Sequence, residues 1–155
     1  LSLATWASGK RDDRVAEAKA RLKTLKPWKK DPATGLTRVR HPFPVGDRDT
    51  YRQGYTTKEI KALIEKAPIK KVPIKDLTAI QHSVIPGRVA QYIDDPRLLE
   101  RGARKEHGGL VDRPIVIERG GKKWLYDGHH RATAAALLDA PEIDARYVTL
   151  NDKEK

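Results

Sequence analysis

The chain has 155 residues, of which 38% are hydrophobic and 34% charged, enough for one modest core with an extension. It carries a formal net charge of +11 and no cysteine, which excludes disulfides, thiolate chemistry and cysteine-ligated metal. No apolar run reaches membrane-spanning length and no secretory signal is visible, so the sequence reads as a soluble protein.

Methionine is absent and the chain begins with Leu1, which reads as a fragment of a longer polypeptide. The charge is unevenly spread. Residues 1–75 hold 19 Lys/Arg against 8 Asp/Glu, and residues 76–155 hold 13 against 13. A basic arm on a neutral module points to a polyanionic partner, nucleic acid or an acidic protein. The alternative is a solvated basic face that aids solubility. The candidate nucleic-acid contacts are Arg11, Arg14, Arg21, Lys23, Lys29 and Lys30.

Residues 10–26 predict an amphipathic helix. Val15, Ala18, Leu22 and Leu25 recur at spacings of three and four, and Pro27 ends the pattern. Residues 28–55 show no clear period and read as a long linker or lid, with one short strand over Leu36–Arg40. Its aromatics, Trp28, Phe43, Tyr51 and Tyr55, suit packing. Thr56-x-x-Glu59 has the form of a capping box and starts a second helix with Ile60, Leu63, Ile64 and Ala67 on one face. Lys71–Ile74 predicts a strand, Leu77–Pro86 a loop and Gly87–Asp94 a short helix. A further helix is expected from Asp95-Pro96 to about Gly102, then a mobile loop over Arg101–Asp112.

The C-terminal part is the clearest. Ile115–Ile117 is a strand, Gly120-Gly121 a hairpin turn, and Lys123–Tyr126 the returning strand with Trp124 and Tyr126 on one face. Asp127-Gly128 breaks it. His130–Leu138 is an Ala-rich helix with Ala134, Leu137 and Leu138 inward, and Ala145–Leu150 is a last strand. The expected class is therefore α+β (α/β mixed): a small mixed sheet flanked by helices over residues 56–155, with a helical, basic N-terminal extension over residues 1–55.

The turn Asp127-Gly128-His129-His130-Arg131 carries the chemistry. A helix N-terminus leaves backbone N–H groups unpaired and favours anions. Gly128 permits a tight turn and close backbone approach. Arg131 adds a planar fork of donors suited to phosphate. Asp127 can hold a metal ion or orient an imidazole, and His129 and His130 can move protons near neutral pH. Neighbouring helical residues diverge by about 100°, so one histidine is expected to face the ligand and the other to pack or to bond a backbone carbonyl.

Residues 72–150 resemble the ParB/sulfiredoxin superfamily. Val72-Pro73-Ile74-Lys75-Asp76-Leu77 is similar to its opening strand, and Asp127-Gly128-His129-His130-Arg131-Ala132 to its second signature. Partition-type members carry Gly-Glu-Arg-Arg there, and His129 and His130 depart from it. Sulfiredoxins have cysteine where His129 stands, so sulfinic-acid repair is excluded. The nearest resemblance is to the Asp-Gly-His-His-Arg branch, which includes nucleotide-dependent free-serine kinases and toxin-like nuclease domains. His82, Pro86, Arg88 and Val89 match the kinases' other motifs, but Ser83 stands where their glutamate base would be; Glu100 or Glu106 would have to substitute.

The resemblance implies, first, a nuclease acting on DNA or RNA. Arg131 and Arg88 would hold the phosphate, His130 or His129 would be base or acid, and His82 the partner. Mg²⁺ or another divalent metal on Asp127 is an option. A toxin-like or phage-borne domain would act in the cytoplasm after secretion or phage delivery, and would have an acidic immunity protein as partner. The second expectation is a nucleotide-dependent phosphotransferase holding ATP, ADP or CTP on Gly128 and Arg131. The third is a non-catalytic nucleotide- or DNA-binding module.

Overall fold

A computed structural model describes residues 11–30, 32–47, 49–95 and 113–151. The fold is mixed α+β, with four α-helices and two sheets among these residues. The helix expected after Asp95 and the loop expected over Arg101–Asp112 lie outside them, as do Glu100 and Glu106.

In chain order the elements are α1 (Arg11–Lys23), β1 (Pro27–Lys30), β2 (Thr37–Arg40), α2 (Thr57–Glu65) and β3 (Ile69–Pro73). A 3₁₀ turn (Ile74–Asp76) leads into β4 (Leu77–Ala79), β5 (Ser83–Val84) and α3 (Pro86–Asp94). The chain then runs through β6 (Ile115–Arg119), β7 (Lys122–Asp127), α4 (His129–Leu137) and β8 (Glu142–Thr149).

Five strands form the main sheet in the order β3-β8-β6-β7-β4. The pairs β3–β8 and β6–β7 are antiparallel, and β6–β8 and β4–β7 are parallel. The β6–β7 turn uses Gly120 and Gly121 at φ +59° and +79°, the left-handed pair that two-residue hairpins require. Strand alternation sorts side chains to two faces. Val116, Leu125, Ala145 and Tyr147 join α1, α3 and α4 in one core; Ile117, Trp124 and Val148 meet Ile60 of α2 and Tyr51 in another. Tyr126 packs with Trp124 in the second core, on the face expected for both. The capping box at Thr56 is formed, with Thr56 Oγ1 accepting from Glu59 N at 3.1 Å and Glu59 Oε1 from Thr56 N at 2.9 Å. No helix among the described residues is long and apolar enough to cross a membrane.

Three local expectations change. The predicted loop after Asp76 contains β4 and β5. Each is too short to show a period; β4 is held by parallel pairing to β7 over Leu77–Ala79, and β5 by pairing to β2. The stretch after Pro27 is not structureless: β1, β2 and β5 make a second, antiparallel sheet. The basic first part is also built into the domain. Ala18, Leu22, Val39 and Phe43 belong to the same core as Val116 and Leu125, so residue 55 is no break in packing.

Gly46 sits directly over the Trp124 ring. A Cβ there would lie 2.3 Å from Trp124 Cζ3 and 2.7 Å from Cη2. The ring is buried and cannot swing clear. Gly46→Ala is expected to cost about 1–3 kcal/mol, the usual range for overpacking, read as a lower urea midpoint with an unchanged slope.

Candidate active site

Strand β7 ends at Asp127, whose Oδ1 accepts from Gly128 N at 2.8 Å. Gly128 follows at φ +92°, ψ 27°, and α4 begins with His129. A Cβ at Gly128 would lie 2.8 Å from Pro114 Cβ and 2.9 Å from its Cα. Both the left-handed backbone and the contact with Pro114 therefore demand glycine. Left-handed strain costs about 1–2 kcal/mol and overpacking about 1–3 kcal/mol. Gly128→Ala is thus expected to lower unfolding free energy by about 2–5 kcal/mol, measured by urea denaturation.

Both histidines turn inward. His129 is 2% exposed, and its Nε2 accepts from the backbone N–H of Ile80 and of Gln81, each at 3.3 Å. His130 Nε2 accepts from Ile85 N at 3.0 Å. A third buried imidazole, His41, accepts from Phe43 N at Nδ1 (3.2 Å) and donates from Nε2 to Gln81 O. Three imidazoles thus satisfy the backbone of residues 80–85, a segment that pairs only briefly in β5. Buried backbone N–H groups must find a partner, and these side chains supply it.

An imidazole nitrogen that accepts a hydrogen bond carries no proton, so the geometry selects neutral rings. Burial lowers His129 to about 3, helped by His41, His130 and Arg38. Burial lowers His130 to about 4, helped by the charges of Arg88 and Arg38. Burial also lowers His41. The expectation that His129 or His130 faces a ligand as base or acid is therefore not met in this arrangement: both acceptor nitrogens are occupied.

Arg131 is also turned inward, at 3% exposure. Its guanidinium lies over Tyr92 of α3, 5.6 Å from the ring centroid, and Nε donates to the Tyr92 hydroxyl at 3.3 Å. It locks α4 to α3 rather than facing solvent. Arg88 is exposed on α3, and its charge bears on His130.

The pinned segment presents His82 and Ser83 to an open cleft of about 670 Å³, lined also by Trp28, Arg38, Gly46, Asp47 and Gln81. His82 is exposed and stacks on Trp28, with centroids 5.5 Å apart and planes 2° apart. Among the described residues no hydrogen bond engages its ring nitrogens. Arg38 crosses from β2 to β5, with Nε donating to Ser83 Oγ and Nη2 to Ser83 O, both at 2.7 Å. Ser83 thus anchors a cation. Arg40 lies over the Trp28 ring at 4.5 Å. Of the expected residues, His82 lies in the cleft, His129 and His130 hold its backbone from the buried side, and Arg131 is buried against Tyr92. The sequence reading missed Arg38, His41 and Asp47; they lie far from His82 in sequence, and only β2–β5 pairing and the Val45–Ala79 bridge bring their segments together.

Among the described residues no three His, Asp or Glu side chains are grouped to hold an ion, and one Asp127 oxygen serves Gly128 N. Of the basic arm, Arg21 is committed to the end of α4, donating to Leu137 O at 2.9 Å and pairing with Asp139 at 2.7 Å. Hydrogen bonding to Asp139 and its charge raise the Arg21 pKa. Lys23, Lys29 and Lys30 are exposed and Arg14 is half-buried. Arg11 opens α1, and its side chain lies outside the described part.

No protein-family model matches the chain, and no curated protein matches it significantly.

Proposed function

We propose that the chain is a nuclease that cleaves phosphodiesters in the cleft lined by the three-stranded sheet and residues 45–47 and 80–82, with His82 as its proton-transfer group. One observation carries this reading. His82 is the imidazole exposed in the cleft, beside Arg38 and Asp47, while His129 and His130 are engaged with the backbone. Arg38 is held by Ser83, in position for a phosphate oxygen. In the reaction His82 takes a proton from the attacking water as its oxygen bonds to phosphorus. The bond from phosphorus to the leaving oxygen breaks, and that oxygen takes a proton from solvent. The net charge of +11 favours a polyanionic substrate. The similarity of residues 127–132 to the ParB/sulfiredoxin signature is consistent with phosphate chemistry on this scaffold.

The test is incubation with plasmid DNA and with total RNA, in Mg²⁺, Mn²⁺ or EDTA. Cleavage that His82→Ala abolishes supports the reading; intact substrates under all three conditions overturn it.

A nucleotide-dependent phosphotransferase is the second reading, and the size of the cleft favours it. A volume of about 670 Å³ falls within the roughly 300–1,000 Å³ of small-molecule pockets. A thermal shift with ATP, ADP or CTP, without any cleavage of nucleic acid, would select it.

A further inference from the structure

The outward face of the three-stranded sheet carries an unusual group of side chains. Strand alternation turns Val39 into the core and Arg38 and Arg40 away from it. Ser83 lies opposite Arg40 in the β2–β5 register. Trp28 of β1 lies under the Arg40 guanidinium and against the His82 ring. Two aromatic rings stacked in parallel at the mouth of a cleft, with the Arg40 guanidinium over Trp28 and Arg38 lining the same cleft, contribute little to the core. Trp28 and His82 belong to neither hydrophobic cluster.

We infer that this face receives single-stranded nucleic acid, with an unpaired base stacking on the Trp28–His82 pair and the phosphates running past Arg38 and Arg40. The inference deepens the nuclease reading by naming its substrate class. A base in a duplex is already stacked on its neighbours and offers no open face; an unpaired base does, and aromatic platforms between cations are how single strands are held. Charge complementarity supports the choice of partner: Lys29 and Lys30 are exposed on the same β1 strand as Trp28. Stacking uses the face of the His82 ring, whereas proton transfer uses its nitrogens in the ring plane, so the two roles do not compete. Trp28 is a positioning residue that fixes the His82 ring and the base together.

The test is equilibrium binding in EDTA, by fluorescence anisotropy. The probes are labelled oligothymidylate, oligouridylate and a duplex of equal length, at matched salt. The single strands are expected to bind at least tenfold more tightly than the duplex. Trp28→Ala is expected to lose roughly tenfold of that preference or more, and Trp28→Phe to retain it. Equal binding of single strand and duplex overturns the inference, as does an unchanged preference in a folded Trp28→Ala protein. If Trp28→Ala does not fold, His82→Leu is read in the same way, since it removes the stacked partner from an exposed position. The ratio of thymidylate to uridylate affinity identifies the sugar. Binding is scored without cleavage, so loss of the preference leaves the nuclease reading standing. A chain that cuts nothing but prefers single strands overturns only the nuclease reading.

Discussion

Replacing His82 by alanine is expected to lower kcat for phosphodiester cleavage by roughly 10²–10⁴-fold, the range a general base contributes, with little change in melting temperature. The stability half follows from exposure: His82 touches Trp28 and the cleft but lies in neither core. The rate half follows from the hydrogen bonds of the three other imidazoles among the described residues. His129 Nε2 receives two backbone N–H groups, His130 Nε2 receives Ile85 N, and His41 Nδ1 receives Phe43 N. Proton transfer through those atoms would first have to break the bonds that hold the backbone N–H groups of Phe43, Ile80, Gln81 and Ile85. Steady-state rates of His82→Ala and His130→Gln, compared at neutral pH, decide between the two sites. A wild-type rate in the first with a collapsed rate in the second would return the chemistry to the start of α4.

The second large effect is acid instability that begins well above the carboxylate range. Unfolded histidine titrates near 6.5, whereas His129 and His130 are lowered to about 3 and about 4 in the fold. Between pH 6.5 and about 4 the unfolded chain therefore binds protons that the native chain does not. Stability rises with pH wherever the unfolded state holds more protons. It is thus fully present above the unfolded value and is lost as pH falls from 6.5 toward 4. Each imidazole contributes a slope of about 1.4 kcal/mol per pH unit, and His41, lowered in the same direction, adds to it. The structural reason is plain: a protonated ring turns an N–H toward the N–H of Ile80 or Ile85. Urea midpoints are expected to fall between pH 7 and pH 5, with the protons taken up on unfolding by His129 and His130 rising toward about two near pH 5. His129→Gln and His130→Gln keep an acceptor near the Nε2 position and remove the titration, so each should flatten the slope by about one proton. An unchanged slope in both variants would mean that the imidazoles titrate in the fold as they do in the unfolded chain.

Much of the fold was legible because local pattern and tertiary packing agree. Ala18 and Leu22 on α1, the Thr56 capping box and the Gly120-Gly121 hairpin each carry a short-range signal that the structure satisfies. Strands β1, β4 and β5 carried none. They have four, three and two residues, too few for a period, and are held by partners distant in sequence.

The candidate site divides in the same way. Residues 127–131 announce a tight turn into a helix, because only glycine accepts the backbone angles there and a strand must stop before α4 starts. The sequence alone thereby marked the turn into α4 as a place where polar groups gather, and His82 entered only through the family resemblance, as a partner group. The sequence could not determine which way the imidazoles face. That was decided by the unpaired backbone of residues 80–85, which His41, His129 and His130 satisfy from three directions. Composition marked the first half as basic, but only β2–β5 pairing set Arg38 on Ser83 and brought Trp28 against His82. A side chain's residue type fixes the hydrogen bonds it can make; the tertiary fold decides whether the backbone or a ligand receives them.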